Sequence, residues 1–472
     1  MSIPDRTRAA FTSYAVRKDL VQTHEISRLP RFIAEYLVAK FSNGTDISGE
    51  DLKKISDFVN IHFPEIRDRD KVLHDIMTAG SYTLMDEFKV ETDIKLGKHR
   101  LIIPCINVRD AQILATILDE NSDLLRSGMW GIATLKYMPD DGMQPKVKSQ
   151  TAPILLTKFT PFQVSNINLE DFVSKRSAFT REEWMDLIIT SIGLNPAAYD
   201  TKQKVLLLCR LVTLVEPNCN IMELGPKATG KTYLYRNISY HTRVISGGRV
   251  SPATLFYNIS AKSVGEIGLR DCVILDEIGK LVFSNGEEMV GKLKDYMVDG
   301  FFERGPKKAH ATCSLVFMGN IEFGSKEPEA SEIVSSLPAF MRDSAILDRI
   351  HAFIPGWQLP KIKQSTEHLA TGYGIVADYL SEILHQIFLQ NFGNIISDRV
   401  KLEGDLTIRD EKAIKKMASG LVKLLCPNRK CDDSDIILCM DAAVEGRQQV
   451  TSLLHSISPE EFEVKKFRYS LV

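Results

Sequence analysis

Residues 225–232 read Gly-Pro-Lys-Ala-Thr-Gly-Lys-Thr: a glycine, four residues, then Gly-Lys-Thr. Glycines let a backbone curl until successive N–H groups face one point, and a lysine with a hydroxyl at the end of such a curl can hold a nucleoside triphosphate and its magnesium ion. On this reading Gly225, Pro226, Lys227, Ala228, Thr229, Gly230 and Tyr233 surround the phosphates. Lys231 bridges the β- and γ-phosphates and Thr232 binds Mg²⁺. The pattern alone is moderately specific, because a surface turn rich in Gly and Lys also satisfies it. A second pair decides. "DCVILDE", 271–277, sets Asp276 and Glu277 at the end of an apolar run, downstream in the order that phosphoryl-transfer chemistry needs. There Asp276 completes the magnesium shell and Glu277 polarises the attacking water.

Other residues fit the same chemistry less specifically. "CSLVFMGN", 313–320, ends in Asn320, whose amide can orient that water, although an asparagine closing a strand is also an ordinary turn former. Arg349, beside Asp348 in "SAILDRIHAF", is either a satisfied ion pair or an arginine finger for a neighbouring subunit's site, with Arg342 as its competitor. Arg447 in "EGRQQV" reads by itself as a solvated helix-face arginine, the alternative being a reach to the γ-phosphate from a lid. "DGFFERGPKKAHATCS", 299–314, predicts two β-rich arms around a Gly-Pro turn followed by Lys307 and Lys308, a basic pair suited to a nucleic-acid backbone or simply to a solvated tip. Phe301 and Phe302 read as packed strand residues. "SGGRVSPATLFYN", 246–258, is a second candidate loop carrying Arg249, or equally a rigid connector.

These residues need a scaffold. "CNIMELG" predicts a strand entering the glycine loop and "TYLYRNIS" a helix leaving it; from about 201 to 360, strand-like runs alternate with helical ones, as in a parallel sheet with crossover helices. Beyond 361 the periodicity is mostly helical. Earlier, "LPRFIAEYLVAKFS" predicts an amphipathic helix among β-rich stretches, and the polar "PDDGMQPKVKSQTAP" marks a boundary. The expected domains are 1–158, mixed α+β; 159–360, an α/β core with a connector helix opened by a Thr180–Glu183 capping box; and 361–472, helical. A net charge of -2 excludes a globally basic nucleic-acid binder but not a local basic patch. No run approaches the roughly 20 apolar residues of a membrane span, and the start lacks a secretory apolar core, so a cytoplasmic location is expected. The eight scattered cysteines read as reduced thiols, and Cys426 and Cys431 lack a second pair at zinc spacing.

The order of phosphate loop, Asp-Glu strand, Asn strand and Asp-Arg resembles the AAA+ ATPases, and "ILDR" is similar to their Lon and MCM branches. "SAFTREEWMDLIITSIGLNP", "ELGPKATGKTYLY", "ISGGRVSPATLFYN", "LKDYMVDGFFERG", "LDRIHAFIPGWQLPK" and "EGRQQV", with "AVRKDLV" and "SGMWGIATLKYMP", resemble the BrxL family, the Lon-protease-like ATPases of BREX bacteriophage-exclusion systems. The resemblance runs from near residue 15 to the end. It implies an α/β AAA+ core with a helical lid, ATP and Mg²⁺ as ligands, Arg349 as finger and Arg447 as lid sensor. It further implies a hexameric ring whose pore hairpin meets double-stranded DNA without sequence preference, working with other BREX components. Basic clusters in "AVRKDL" and "KLGKHR" fit an N-terminal DNA-binding collar, and solvated faces explain them equally well. Longer members continue into a Lon-type peptidase with a Ser-Lys dyad, whereas this sequence ends at "EVKKFRYSLV", so an ATPase without intrinsic proteolysis is expected. The alternatives are a protein unfoldase serving a separate protease, and a nucleotide-gated scaffold, against which intact Asp276, Glu277 and Asn320 argue.

Overall fold

Alternating apolar residues over 129–137 produce a strand that buries every second side chain, as a half-covered sheet requires. In a computed structural model, which describes residues 3–12, 14–22, 26, 29–42, 48–94, 97–126, 128–138, 152–162, 167–321, 327–363 and 365–472, this strand belongs to a closed barrel. The barrel strands are β1 (Ser81–Asp93), β2 (Lys98–Ile103), β3 (Val108–Ile113), β4 (Met129–Tyr137) and β5 (Ile154–Pro161). They close in the order β1-β2-β3-β5-β4, antiparallel except for the parallel β3–β5 pair. Leu84, Phe88, Leu101, Ala133 and Leu135 fill the interior, and helix α1 (Gly49–His62), opened by a Ser48–Asp51 capping box, precedes α2 (Arg69–Ala79), which adds Val72 and Ile76.

Contacts divide the chain into Leu20–Asn166 and a second unit made of Met1–Asp19 with Ile167–Val472. The expected boundary at 158 therefore falls inside β5, whose ladder partners β3 and β4 lie in the barrel. Most of the polar boundary segment, 139–151, lies outside the described residues. "AVRKDL" does not join the barrel unit either. Ala15–Arg17 pairs with Tyr373–Ile375, Lys18 is buried with its Nζ on the Ile375 carbonyl at 2.6 Å, and Arg17 pairs with Asp19, so both charges are engaged within the chain.

The second unit is built on five parallel strands: β6 (Ile221–Gly225), β7 (Thr242–Val250), β8 (Cys272–Phe283), β11 (Ser314–Asn320) and β12 (Ala352–Pro355), in the order β12-β6-β11-β8-β7. Between β8 and β11 stands the antiparallel hairpin β9 (Phe301–Arg304) and β10 (Lys307–His310). β6 and all but the last residue of β11 are buried throughout, as expected for strands covered on both faces. The helices include α3 (Arg181–Ser191), α4 (Thr201–Leu211), α5 (Lys231–Ile238), α6 (Gly286–Asp299), α7 (Ala377–Phe388), α8 (Ile408–Leu425) and α9 (Asp433–Ile457), and the Thr180–Glu183 capping box opens α3. Residues 361–472 do not separate from the sheet. α9 lies so close to β12 that a Cβ on Gly446 would sit 2.8 Å from Ala352 Cβ, because the apolar face of α9 is buried against that edge strand. The terminal strand Arg468–Leu471 pairs with Val400–Glu403, an element the helical reading missed. All eight cysteines are free, and among the described residues no helix is long and apolar enough to cross a membrane.

His351, just before β12, is buried with Nδ1 2.9 Å from the Asn220 N–H it accepts. Burial, then Lys416, Arg447 and Lys412, hold its pKa well below 6.5. The unfolded chain takes up this proton as pH falls through 6.5 and the folded chain does not, so stability is complete above that pH and declines below it. The expected slope is about 1.4 kcal/mol per pH unit. Urea unfolding at about pH 7.5 and about pH 5.5 is expected to show this loss in the native chain and a smaller one in His351→Asn, whose amide oxygen can still accept from Asn220.

Candidate nucleotide site

β6 delivers the glycine loop to the carboxyl end of the sheet, where parallel strands leave a crevice at a switch of strand order. The loop begins under tight constraint: a Cβ on Gly225 would lie 2.6 Å from the carbonyl carbon of Gly356. It ends at Gly230, whose φ of 76° turns the chain into α5. Ala228 also has a left-handed φ of 65°, a strain of about 1–2 kcal/mol that glycine would not carry. Lys231 is buried, and its Nζ sits inside the loop, 3.0 Å from the Gly225 carbonyl and 2.7 Å from that of Pro226. Burial, opposed chiefly by Glu223, holds its pKa below the usual lysine value. Lys227 and Tyr233 are exposed and Thr229 is buried.

Thr232 Oγ1 donates to Asp276 Oδ2 at 2.8 Å, which brings together the two side chains suited to a magnesium shell. Ser246 Oγ stands 3.3 Å from the same oxygen, and Asp276 Oδ1 accepts the Glu277 N–H at 2.8 Å. β8 does not end here, contrary to the sequence reading. Its pairing with β7 shifts between Asp276 and Leu281, and Glu277 takes a φ of 52°. Such a bulge re-aims a side chain. Glu277 is partly exposed and touches Lys280 at 3.2 Å. Asn320 ends β11, exposed and in register with Gly225 on β6, which sets its Cα beside the start of the loop.

The arginines divide. Arg349 is half-buried: Nη1 donates to the Ala345 carbonyl at 2.5 Å and Nε is buried without a hydrogen-bond partner. Arg342 is exposed at the end of the Ala339–Arg342 turn. Arg447 is neither solvated nor a lid sensor. It is fully buried and donates to Asp410 Oδ1 at 2.8 Å, Asp348 Oδ1 at 2.9 Å, and the carbonyls of Asp348 and Ile350 at 3.1 and 2.6 Å. With its donors so engaged it cannot swing to a phosphate; it fixes the segment that carries Arg349.

The expected hairpin forms, with Gly305 at φ 58° in its turn. It is anchored on its base side by buried Phe302 against Phe256 and Tyr296, and beside the turn by Arg304 on Glu288 and the Tyr257 carbonyl. Lys307 and Lys308 are exposed, and Lys308 pairs with Glu303 at 3.2 Å. Phe301, expected to be packed, is 57% exposed because it lies on the other face of β9 from Phe302. Arg249 is an exposed residue of β7, in register with Val282, rather than part of a loop.

Two supports of the loop escaped the sequence reading. Arg210 on α4 grips buried Glu223 of β6 with Nε and Nη2, at 2.9 and 2.6 Å, and its Nη1 holds the Thr229 carbonyl at 3.1 Å. The Ile362 N–H donates to the Ala228 carbonyl at 2.7 Å. A carboxylate inside the apolar run "IMELG" was the available signal for the first, since a buried charge demands a partner; the second has none.

A family model described as "Lon-like protease BrxL-like, ATPase domain" matches residues 154–468, and one for the BREX system Lon protease-like protein BrxL N-terminal region matches 9–137. The Lon-like protease BrxL of Escherichia coli O9:H4 (strain HS) is 31% identical over 463 residues, covering 97% of this chain and 65% of the relative. That of Bacillus cereus (strain H3081.97) is 32% identical over 469 residues, covering 98% and 68%. The chain thus spans about two thirds of the length of these relatives.

Proposed function

The chain belongs to the BrxL family of Lon-like proteins, and from that premise we propose that it is a ring-forming AAA+ ATPase that couples ATP hydrolysis to engagement of DNA in BREX-type phage defence. The observation that carries the ATPase reading is the Thr232–Asp276 contact beside Lys231 at the carboxyl ends of parallel strands. In this reading the loop N–H groups and Lys231 bind the phosphates, Glu277 takes a proton from the attacking water, and Asn320 orients it. Thr232 and Asp276 would hold Mg²⁺, which neutralises charge on the β- and γ-phosphates. Arg349 serves a neighbouring subunit in a hexameric ring from its half-buried position beside Asp348.

Support for DNA comes from the anchored hairpin with exposed Lys307 and Lys308, and from Arg249. The barrel adds an analogy of fold: a five-stranded Greek-key barrel of this kind binds nucleic acid on its β2–β3 face, where Lys98 and Arg109 are exposed. Lys307→Glu with Lys308→Glu is expected to weaken DNA binding at least ~10-fold and to lower the salt slope by about 2 for each subunit in contact. A fluorescence anisotropy titration over a range of salt checks this; an unaltered slope removes the hairpin from the interface.

Exposed Phe301 favours a second reading, a polypeptide unfoldase whose pore grips with an aromatic side chain. ATPase rates measured with added DNA and with added unfolded polypeptide separate the two. Stimulation by DNA alone supports the first reading, and stimulation by polypeptide alone replaces it with the second.

A further inference from the structure

At the amino-terminal end of the sheet, opposite the glycine loop, three segments bring His241, Asp271 and His385 together. His241 lies in the turn between α5 and β7, Asp271 immediately precedes β8, and His385 stands on α7. One nitrogen or carboxylate oxygen from each lies within 4.8 Å of the other two. The imidazole rings stack with centroids 4.1 Å apart and planes 9° apart, and His385 Nδ1 is 2.5 Å from Asp271 Oδ2. Glu382, three residues before His385 on α7, stands 3.0 Å from His241 Nε2 and also takes the Tyr240 hydroxyl. The neighbouring guanidinium of Arg270 is engaged with the Tyr240 carbonyl and Glu266.

We propose that His241, Asp271 and His385 form a binding site for a divalent transition metal of the zinc class, which clips α7 to the edge of the parallel sheet. Two imidazoles with a carboxylate suit zinc and its neighbours, whereas magnesium and calcium take oxygen ligands. Ligands about 2.0–2.2 Å from a tetrahedral zinc ion stand roughly 3.3 Å apart, so metal binding would draw the three groups closer than the 4.8 Å within which they now lie. Glu382 is placed as the carboxylate that fixes the ring orientation of His241. α5 begins with Lys231 and ends at Ile238, three residues before His241, and α7 packs on α5, so the clip braces the helix that carries the phosphate-binding lysine. Nothing in the nucleotide chemistry uses these residues.

The test uses the full chain without a polyhistidine tag, stripped with chelator and dialysed against Zn²⁺. One equivalent of zinc per chain, measured by elemental mass spectrometry, and a rise in Tm of roughly 3 °C or more are expected. His385→Gln and Asp271→Asn are expected to lose both the equivalent and the rise. Should these variants not fold, the native chain loaded with Co²⁺ decides the matter: visible d–d bands without a thiolate charge-transfer band support the site. No retained metal overturns the proposal. So does metal that survives His385→Gln but is lost in Cys431→Ser, or a thiolate band in the cobalt spectrum, since either assigns binding to the cysteines.

Discussion

Lys231→Ala is expected to abolish detectable ATP turnover and weaken nucleotide binding, whereas Glu277→Gln should keep nucleotide bound while lowering kcat by about 10²–10⁴-fold. The two losses differ because the residues act at different moments. The Lys231 ammonium sits within the loop, against the Gly225 and Pro226 carbonyls, and can turn to phosphate oxygens in both ground and transition states. Alanine there removes binding together with rate. Glu277 lies in the bulge of β8, with its backbone turned by a φ of 52°, and its carboxylate stands 3.2 Å from the exposed Lys280. Glutamine preserves its shape but not its basicity. Steady-state ATPase assays with a fluorescent-nucleotide titration read the two effects separately. Undiminished hydrolysis in either variant would remove the site assignment, and equal loss of binding in both would make Glu277 a structural residue. Asp276→Asn should resemble Lys231→Ala in rate but respond to raised Mg²⁺, because Asp276 shares its hydrogen bond with Thr232.

What was legible in the sequence is what depends on neighbours along the chain. The loop 225–232 declares itself because its glycines, lysine and threonine act within one turn, and β6, the first half of β8 and β11 follow from largely apolar runs. The hairpin was legible because Gly305-Pro306 sets its turn locally. Features set by contacts between distant residues were not. Arg447 on α9 looks like a solvated helix residue until Asp348 and Asp410, 99 and 37 positions away, are brought to it. Barrel closure depends on β3 meeting β5 in parallel, which no local pattern announces. The bulge after Asp276 was hidden because "DEIGKLVF" continues as strand while its register with β7 changes. In each case the missing information was the partner, not the residue type.

Arg210→Ala is expected to destabilise the fold by about 3–5 kcal/mol, and Glu223→Ala by a similar amount. Both side chains are fully inaccessible to water, so removing either leaves an unpaired charge in the interior. The pair also braces the loop, since the third donor of the same guanidinium holds the Thr229 carbonyl. Stability and positioning can therefore be separated. Replacing both partners, Arg210→Met with Glu223→Leu, removes the buried charges together and should restore most of the lost stability. The Thr229 carbonyl stays unheld in that double variant, so KM for ATP is expected to rise several-fold while urea unfolding returns near the native midpoint. If KM also returned to the native value, the pair would be a core ion pair with no hold on the loop. If stability stayed low, the buried ion pair would be worth more to the fold than the apolar pair of similar volume that replaces it.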